Sequence, residues 1–452
     1  MNERMNNLFE LVKYKKNEES IFRLEYKKTC NLFPFNTRNP ERPEFSNGFE
    51  GVTGAYTKSA CGLKINEEVN IEILIKEIEE QVHIKNEEDK EYFDSMIRGY
   101  LLTIDNKINV FSSAMFQYCL FSNLRKERKG EIEIGKYLYN LFGFPADELD
   151  QINTMNVSNI LEEIIVQHMF IAPEGIEGAM VESKIKNIND LFISDLKILI
   201  NNEEYFLKYY PQLLAYYYFF YISQLSIIVN QGRKGNVEKL EKIFFLYGQE
   251  SVTKSRKSYT NGIGKIKECS KYLLANINVL AQLNAIFLSE NQLLPTLLEN
   301  YENMDKIQQN EIDISLSEWI EIVNKKYNKI NQPLNGLDEK IEYLIKLYKS
   351  EKTAFGDGTG SRYALWIEKS ANSYFIRRHG NLGNFLYISQ EFLLLMLFIC
   401  KNGKRIKLKE FFRNLEVRGI CLDSESKILV ERRLNELGLL DKKSDSGEAA
   451  YV

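Results

Sequence analysis

Residues 205–229 read YFLKYYPQLLAYYYFFYISQLSIIV, a stretch long enough for a helix to cross a membrane. The stretch also contains Lys208, Pro211, two glutamines and many tyrosines. Each tyrosine hydroxyl would need a hydrogen-bond partner inside the hydrocarbon, where water is absent. This composition favours a buried helix in the core of a soluble protein, and a membrane span remains the alternative.

The sequence on both sides of this stretch follows a helical pattern. Apolar residues recur every three or four positions, as in Ile71, Leu74 and Ile78, and charged residues occupy the other positions. We therefore predict a mainly α protein with a multi-helical body over residues 66–350.

Two segments beside the body have a different composition. Residues 1–65 begin with a short amphipathic helix, but their second half is rich in proline and glycine and predicts an irregular N-terminal arm. The stretch SEKTAFGDGTGSRY, at 350–363, contains Gly356, Asp357, Gly358 and Gly360. Such a glycine cluster is typical of a flexible segment, so residues 351–384 are predicted to be a linker or hinge.

Residues 385–452 show the element order of a winged-helix module. Ser389 is placed to cap a first helix, whose run FLLLMLFIC is apolar on every side and therefore buried. Asp423 is placed to cap a third helix, and Asp445–Gly447 predicts the turn of a final hairpin. The predicted core positions of the second helix are Leu408, Phe411, Phe412 and Leu415. Because the module has its own apolar stripe, we predict that it folds independently, with marginal stability.

No catalytic motif accompanies these elements. The three histidines and six cysteines are scattered, which indicates free thiols in a reducing cytoplasm rather than a zinc site. Arg378-His379-Gly380 has the form of a histidine phosphatase motif, but no second histidine follows it. Neither Gly356–Gly360 nor Asn261–Lys265 continues into the Lys and Ser/Thr of a P-loop, so we expect no nucleotide hydrolysis. The sequence predicts a non-enzymatic protein without cofactor or metal.

Basic residues near the end of the chain are the candidate binding residues. Residues 386–452 contain 12 Lys and Arg against 10 Asp and Glu, while the whole chain has a net charge of -4. The neighbouring acidic residues dilute this positive charge. The basic side chains could therefore contact either duplex DNA or a protein partner. A solvated helix face with i, i+4 pairs is the alternative. The candidates are Arg377, Arg378, Lys427, Arg432, Arg433, Lys442 and Lys443.

The C-terminal sequence resembles the DptG (DndG) family. The similar runs are VRGICLD at 417–423, LNELGLL at 434–440 and DKKSDSGEAAYV at 441–452, together with NLFPF at 31–35 followed by Arg38 and RRHGNLG at 377–383. The resemblance is most specific over the three runs at the C-terminal end, at 417–452. The central body is similar only in its length and its helical character. It implies a subunit of a DNA phosphorothioation-dependent restriction complex, acting with ATPase and HerA-type helicase subunits against unmodified invading DNA.

Two other functions remain open from the sequence. A free-standing winged-helix DNA-binding regulator would use the same C-terminal elements, although its DNA-binding module would follow an unusually large body. A metal-dependent nuclease needs only a few carboxylates and a lysine, and the chain has 63 Asp and Glu among which such a site could lie.

Overall fold

A computed structural model of the chain describes residues 3–14, 32–35, 44–45, 48–82, 84, 86–154, 156–174, 183–248, 252–350, 357–442 and 450–452. Helices dominate these residues, so the prediction of a mainly α protein is confirmed. The α-helices are α1 (Glu3–Leu11), α2 (Glu50–Ala60), α3 (Ile71–Val82), α4 (Glu87–Leu101), α5 (Arg125–Phe142), α6 (Leu149–Asn153), α7 (Ile160–His168), α8 (Lys186–Ile200), α9 (Glu203–Gln231), α10 (Lys257–Thr260), α11 (Ile263–Ser270), α12 (Leu273–Phe287), α13 (Leu294–Asn303), α14 (Lys306–Lys326), α15 (Gly336–Lys349), α16 (Asp357–Asn372), α17 (Gln390–Lys401), α18 (Leu408–Val417) and α19 (Ser424–Glu436).

The strands in the described part of the chain are short and form three two-stranded sheets. They are β1 (Phe244–Phe245), β2 (Ile376–Arg378), β3 (Asn384–Leu386), β4 (Cys421–Leu422), β5 (Asp441–Lys442) and β6 (Ala450–Tyr451). β1 pairs in parallel with β4, while β2–β3 and β5–β6 are antiparallel. Lys407 adds a bridge to Tyr451, so the residues before α18 extend the β5–β6 sheet.

Helix α9 lies at the centre of the molecule and contains the stretch 205–229. By length and composition it could cross a membrane, but 94% of its apolar window is buried inside the protein. Several of its tyrosines find partners within the fold: the Tyr217 hydroxyl donates to Asp195 at 2.5 Å, and the Tyr221 hydroxyl accepts from the Lys184 N–H at 3.1 Å. The buried Tyr218 hydroxyl is the exception among them, because no described residue accepts its hydrogen bond. The prediction of a buried core helix is therefore confirmed.

The predicted irregular arm contains a buried helix instead. Ten of the eleven residues of α2 are buried, and the helix packs closely against α5. A Cβ atom added to Gly135 would lie 2.4 Å from that of Ala55. The glycines of this region therefore allow two helices to approach closely. Composition alone cannot distinguish glycines with this role from glycines that make a segment flexible. The α1 helix agrees with the prediction, and residues 36–43 lie outside the described part.

A carboxyl group is buried where α2 meets α5. Glu131 is 2% exposed and lies so close to Gly51 that a Cβ atom there would be 2.4 Å from its oxygen. Burial raises the pKa of Glu131 to about 7, the hydrogen bond from the Ser122 N–H opposes this shift, and neighbouring carboxylates such as Glu127 add to it. Glu131 is therefore expected to change its ionisation near neutral pH.

We expect the chain to be more stable at pH 5 than at pH 8, with Glu131 contributing up to about 3 kcal/mol to the difference. Its folded-state pKa lies above the ordinary value of 4.5, so its contribution is complete below that value and is lost as pH rises through about 7. Urea unfolding of Glu131→Gln at both pH values should show a smaller difference than the wild type. Glu133→Gln on the same helix is the control, and equal pH dependence in all three proteins would contradict the prediction.

The segment predicted to be a linker is largely structured. Residues 351–356 lie outside the described part, but α16 begins at Asp357 and is followed by the β2–β3 hairpin. Tyr363 and Trp366 of α16 are completely buried, and the Trp366 ring contacts Phe35 edge-on. The prediction of a linker is therefore wrong for residues 357–384, because the aromatic side chains after the glycines anchor this segment in the core.

The C-terminal helices begin at the predicted caps. The Ser389 hydroxyl accepts from the Phe392 N–H at 3.1 Å, and the Asp423 carboxylate accepts from the Ser426 N–H at 3.0 Å. The predicted stripe of α18 is buried except for Phe412, which is half-buried. The predicted turn at 445–447 lies outside the described residues.

This C-terminal region shares its core with the helical body. Residues 243–246 lie between β3 and β4: the Leu246 N–H donates to Leu386 at 2.8 Å, and the Cys421 N–H donates to Ile243 at 3.1 Å. Gly419, whose φ is +79°, has no room for a side chain because the Phe220 ring of α9 lies against it. A strand from the body thus completes the C-terminal region, and the predicted boundary at residue 385 falls inside β3.

Candidate interaction surface

Helix α19, the third helix of the C-terminal region, is fixed to the body at its first turn. The Arg256 guanidinium donates to both carboxylate oxygens of Asp423, at 2.6 and 2.8 Å, and to the Ser426 hydroxyl at 2.9 Å. The side chains of Arg256 and Asp423 are only 7% and 11% exposed. A bidentate pair of this kind restricts orientation as well as position, so the body determines which face α19 presents to solvent.

The three basic candidates on α19 point in different directions. Val430 and Leu434 are buried, and the 3.6-residue period places Arg432 on the side opposite to them. Lys427 and Arg433 lie on opposite flanks of the buried stripe: Lys427 pairs with Glu416 at 3.0 Å, and Arg433 pairs with Glu436 at 2.9 Å. The outward face around Arg432 is therefore separate from the Lys427 flank.

A stack of aromatic rings connects Arg433 with the upstream candidate Arg377. The Arg377 guanidinium lies 3.9 Å from the centre of the Tyr387 ring, which is parallel to the Tyr247 ring at 6.5 Å. Burial raises the pKa of Tyr247, Tyr387 adds to this shift, and the nearby positive charge of Arg433 opposes it. Arg378 is the next residue on β2, and the alternation of a strand directs it to the other face. The fold thus brings Arg377 and Arg433 to one region and leaves Arg378 outside it.

The candidates of the final hairpin are only partly described. Lys442 lies in β5, and Lys443 is outside the described residues. Arg405, which the sequence reasoning did not select, lies at the base of this hairpin, where its guanidinium is 4.7 Å from the centre of the Tyr451 ring and pairs with Asp441. Its spacing from Lys407 was the available signal, because residues two positions apart lie on the same side of extended backbone.

The outward face of α19 is mixed in chemistry rather than strongly basic. Ile428 is 58% exposed on this face. The helical period also places Glu425 and Glu436 on this face, one before and one after Arg432 along the helix axis. Both glutamates already pair with arginines, Glu425 with Arg256 and Glu436 with Arg433. The face therefore combines an apolar side chain with alternating charges, a composition that suits contact with a protein better than contact with a row of phosphates.

Comparisons with known proteins do not identify a family for this chain. Neither models of protein families nor characterised proteins give a match. Among the described residues, no three His, Cys, Asp or Glu side chains are grouped so that they could hold a metal ion.

Proposed function

We propose that this protein is a non-enzymatic subunit of a phosphorothioation-dependent restriction complex, acting with ATPase and HerA-type helicase subunits on unmodified DNA in the cytoplasm. The proposal rests on the resemblance of residues 417–452 to the DptG family. Its C-terminal region is taken as a winged-helix module, and the element order of three helices followed by the β5–β6 hairpin supports this assignment.

Within that function, the outward face of α19 is the surface that binds a partner subunit. The observation that supports this role is the exposed Ile428 beside Arg432, with carboxylates on the same face. Apolar side chains and arginines are common anchors of protein interfaces. Carboxylates beside a DNA backbone would oppose phosphate, so duplex DNA is the second candidate, supported by the neighbouring Arg377 and Arg433.

The double variant Ile428→Ser/Arg432→Glu is expected to reduce co-purification of the ATPase and helicase subunits about tenfold or more. Restriction of unmodified plasmid should be lost with it, while duplex affinity and its salt dependence stay unchanged. Both side chains are on the solvent side of α19, so the melting temperature should not fall appreciably. Lys346→Glu, an exposed position on α15, is the matched control.

Three other outcomes would revise the proposal. If Arg432 meets DNA, the slope of log affinity against log salt should change by about 0.9 for that contact, with subunit binding preserved. If partner binding and plasmid restriction both survive, this face is not the docking surface. If the purified protein cleaves DNA in the presence of Mg²⁺ or Mn²⁺, the non-enzymatic assignment is wrong.

A further inference from the structure

A second hydrophobic core lies outside the main one and supports a separate surface. Helices α3, α4 and α7 pack around Leu74, Ile78, Ile97, Leu101 and Ile165, all of which are at most 2% exposed. We call these three helices the satellite lobe. Its surface belongs neither to α19 nor to the β2–β3 hairpin, so a function of the lobe is independent of the proposed docking face.

The satellite lobe is strongly acidic. Helix α3 carries four Glu against one Lys, α4 carries five Asp and Glu against one Lys and one Arg, and α7 carries two Glu. The two cations of α4 are already paired: Arg98 with Glu72 and Asp94, and Lys90 with Glu79 at 3.7 Å. This negative charge is concentrated on one lobe of a chain whose total net charge is -4. Such a local field attracts cationic partners and repels phosphate.

An apolar strip crosses this acidic surface along one face of α4. Tyr92 is 77% exposed and Met96 is 50% exposed, one helical turn apart. Gly99, three residues after Met96, has open space where a side chain would be. Tyr100 continues the same face one turn after Met96, and its hydroxyl accepts from Asn159 at 3.2 Å, which brings the start of α7 to the end of the strip.

Residues around the strip explain what it would bind. Ile160, the first residue of α7, is 75% exposed next to Asn159 and extends the apolar surface. Glu88, Asp89 and Glu91 lie in the first turns of α4 beside Tyr92. Exposed apolar side chains surrounded by one sign of charge are typical of a site for a complementary protein segment.

We propose that the strip formed by Tyr92, Met96, Gly99 and Ile160 binds an amphipathic, basic helix of a partner protein. The apolar face of that helix would cover Tyr92 and Met96, with the open position at Gly99 allowing its backbone to approach closely. Its lysine and arginine side chains would meet the carboxylates of α3 and α4. In recognition of this kind, apolar anchors supply affinity and flanking charges supply specificity.

The test uses the full chain and two synthetic helical peptides with identical leucine patterns, one with lysine and one with glutamate on the polar face. Fluorescence anisotropy should show binding of the lysine peptide, weaker binding at higher salt, and no binding of the glutamate peptide. Tyr92→Ser/Met96→Ser should raise the Kd about tenfold or more. Ile307→Ser/Ile330→Ser, which removes two exposed apolar side chains elsewhere, should leave the Kd unchanged.

A second variant separates lost binding from lost folding. A Cβ atom at Gly99 would have nothing within 4 Å, and Gly99→Arg replaces a helical glycine, so the melting temperature of this variant should equal or exceed that of the wild type. The new side chain should nevertheless block the lysine peptide. Unchanged binding in both Gly99→Arg and Tyr92→Ser/Met96→Ser would overturn the proposal. So would a concentration-dependent dimer in sedimentation that the Tyr92→Ser/Met96→Ser variant abolishes, because the occupant would then be a second copy of the chain.

Discussion

Asp195→Ala is expected to lower the free energy of unfolding by about 3–5 kcal/mol, because it leaves the guanidinium of Arg418 without its partner. Asp195 on α8 is completely buried and accepts from Arg418 at 2.6 and 2.7 Å. It also accepts from the Tyr217 hydroxyl at 2.5 Å. The variant therefore removes the acceptor of three hydrogen bonds between α8, α9 and the end of α18.

Urea denaturation of the full chain measures this effect, and two further proteins determine its cause. Asp190→Ala lies on the same helix but is exposed, so its midpoint should remain close to that of the wild type. Arg418→Met in the Asp195→Ala background removes the unpaired charge and should recover a large part of the loss. If Asp195→Ala unfolds at the wild-type midpoint, this buried pair does not hold the C-terminal region against the body.

The sequence could predict those parts of the fold that depend on residues close together in the chain. A serine or aspartate before a helix forms its hydrogen bond within three residues, and both Ser389 and Asp423 cap the predicted helices. The apolar run at 205–229 likewise contains enough information by itself to indicate a buried helix. These features depend on neighbours in the chain, so one sequence is sufficient to recognise them.

Contacts between distant residues account for what the sequence could not predict. Asp195 and Arg418 are 223 positions apart, and nothing in either local pattern indicates that they meet. β1 has only two residues, which is too short for an alternating pattern to be detected, and its partner β4 lies about 180 positions later in the chain. Gly51 and Gly135 serve close helix packing, whereas composition suggested a flexible arm in the region of Gly51.

The candidate surface shows the same division. The sequence was sufficient to assign three basic residues to one helix, namely Lys427, Arg432 and Arg433. The helical period then shows that their side chains point in different directions. That Arg433 lies near Arg377 depends on two tyrosines from different elements, Tyr247 and Tyr387, which stack only in the folded protein. Lys427 also pairs with Glu416 of α18, whereas the sequence suggested i, i+4 pairs within α19 itself.

Residues 382–452 expressed alone are not expected to give a cooperative thermal melt. This fragment contains the whole predicted module and starts in the turn between β2 and β3. It lacks the strand at 243–246 that lies between β3 and β4, and it lacks Arg256, which fixes the first turn of α19. The apolar residues of α17 that pack against α8 and α9 would be exposed to water. Circular dichroism during heating measures the loss.

Co-expression supplies the matched control for this fragment. Residues 1–381 provide α8, α9, β1 and Arg256, so the two pieces should assemble and co-purify as one folded complex. Reassembly would show that the fragment can fold. Its instability in isolation would then come from the missing strand, ion pairs and apolar surface. A sharp melt of the isolated fragment, near the melting temperature of the full chain, would instead show that residues 382–452 are an autonomous module. The shared β1–β4 pairing and the bridge between Leu246 and Tyr387 would then add little to its stability.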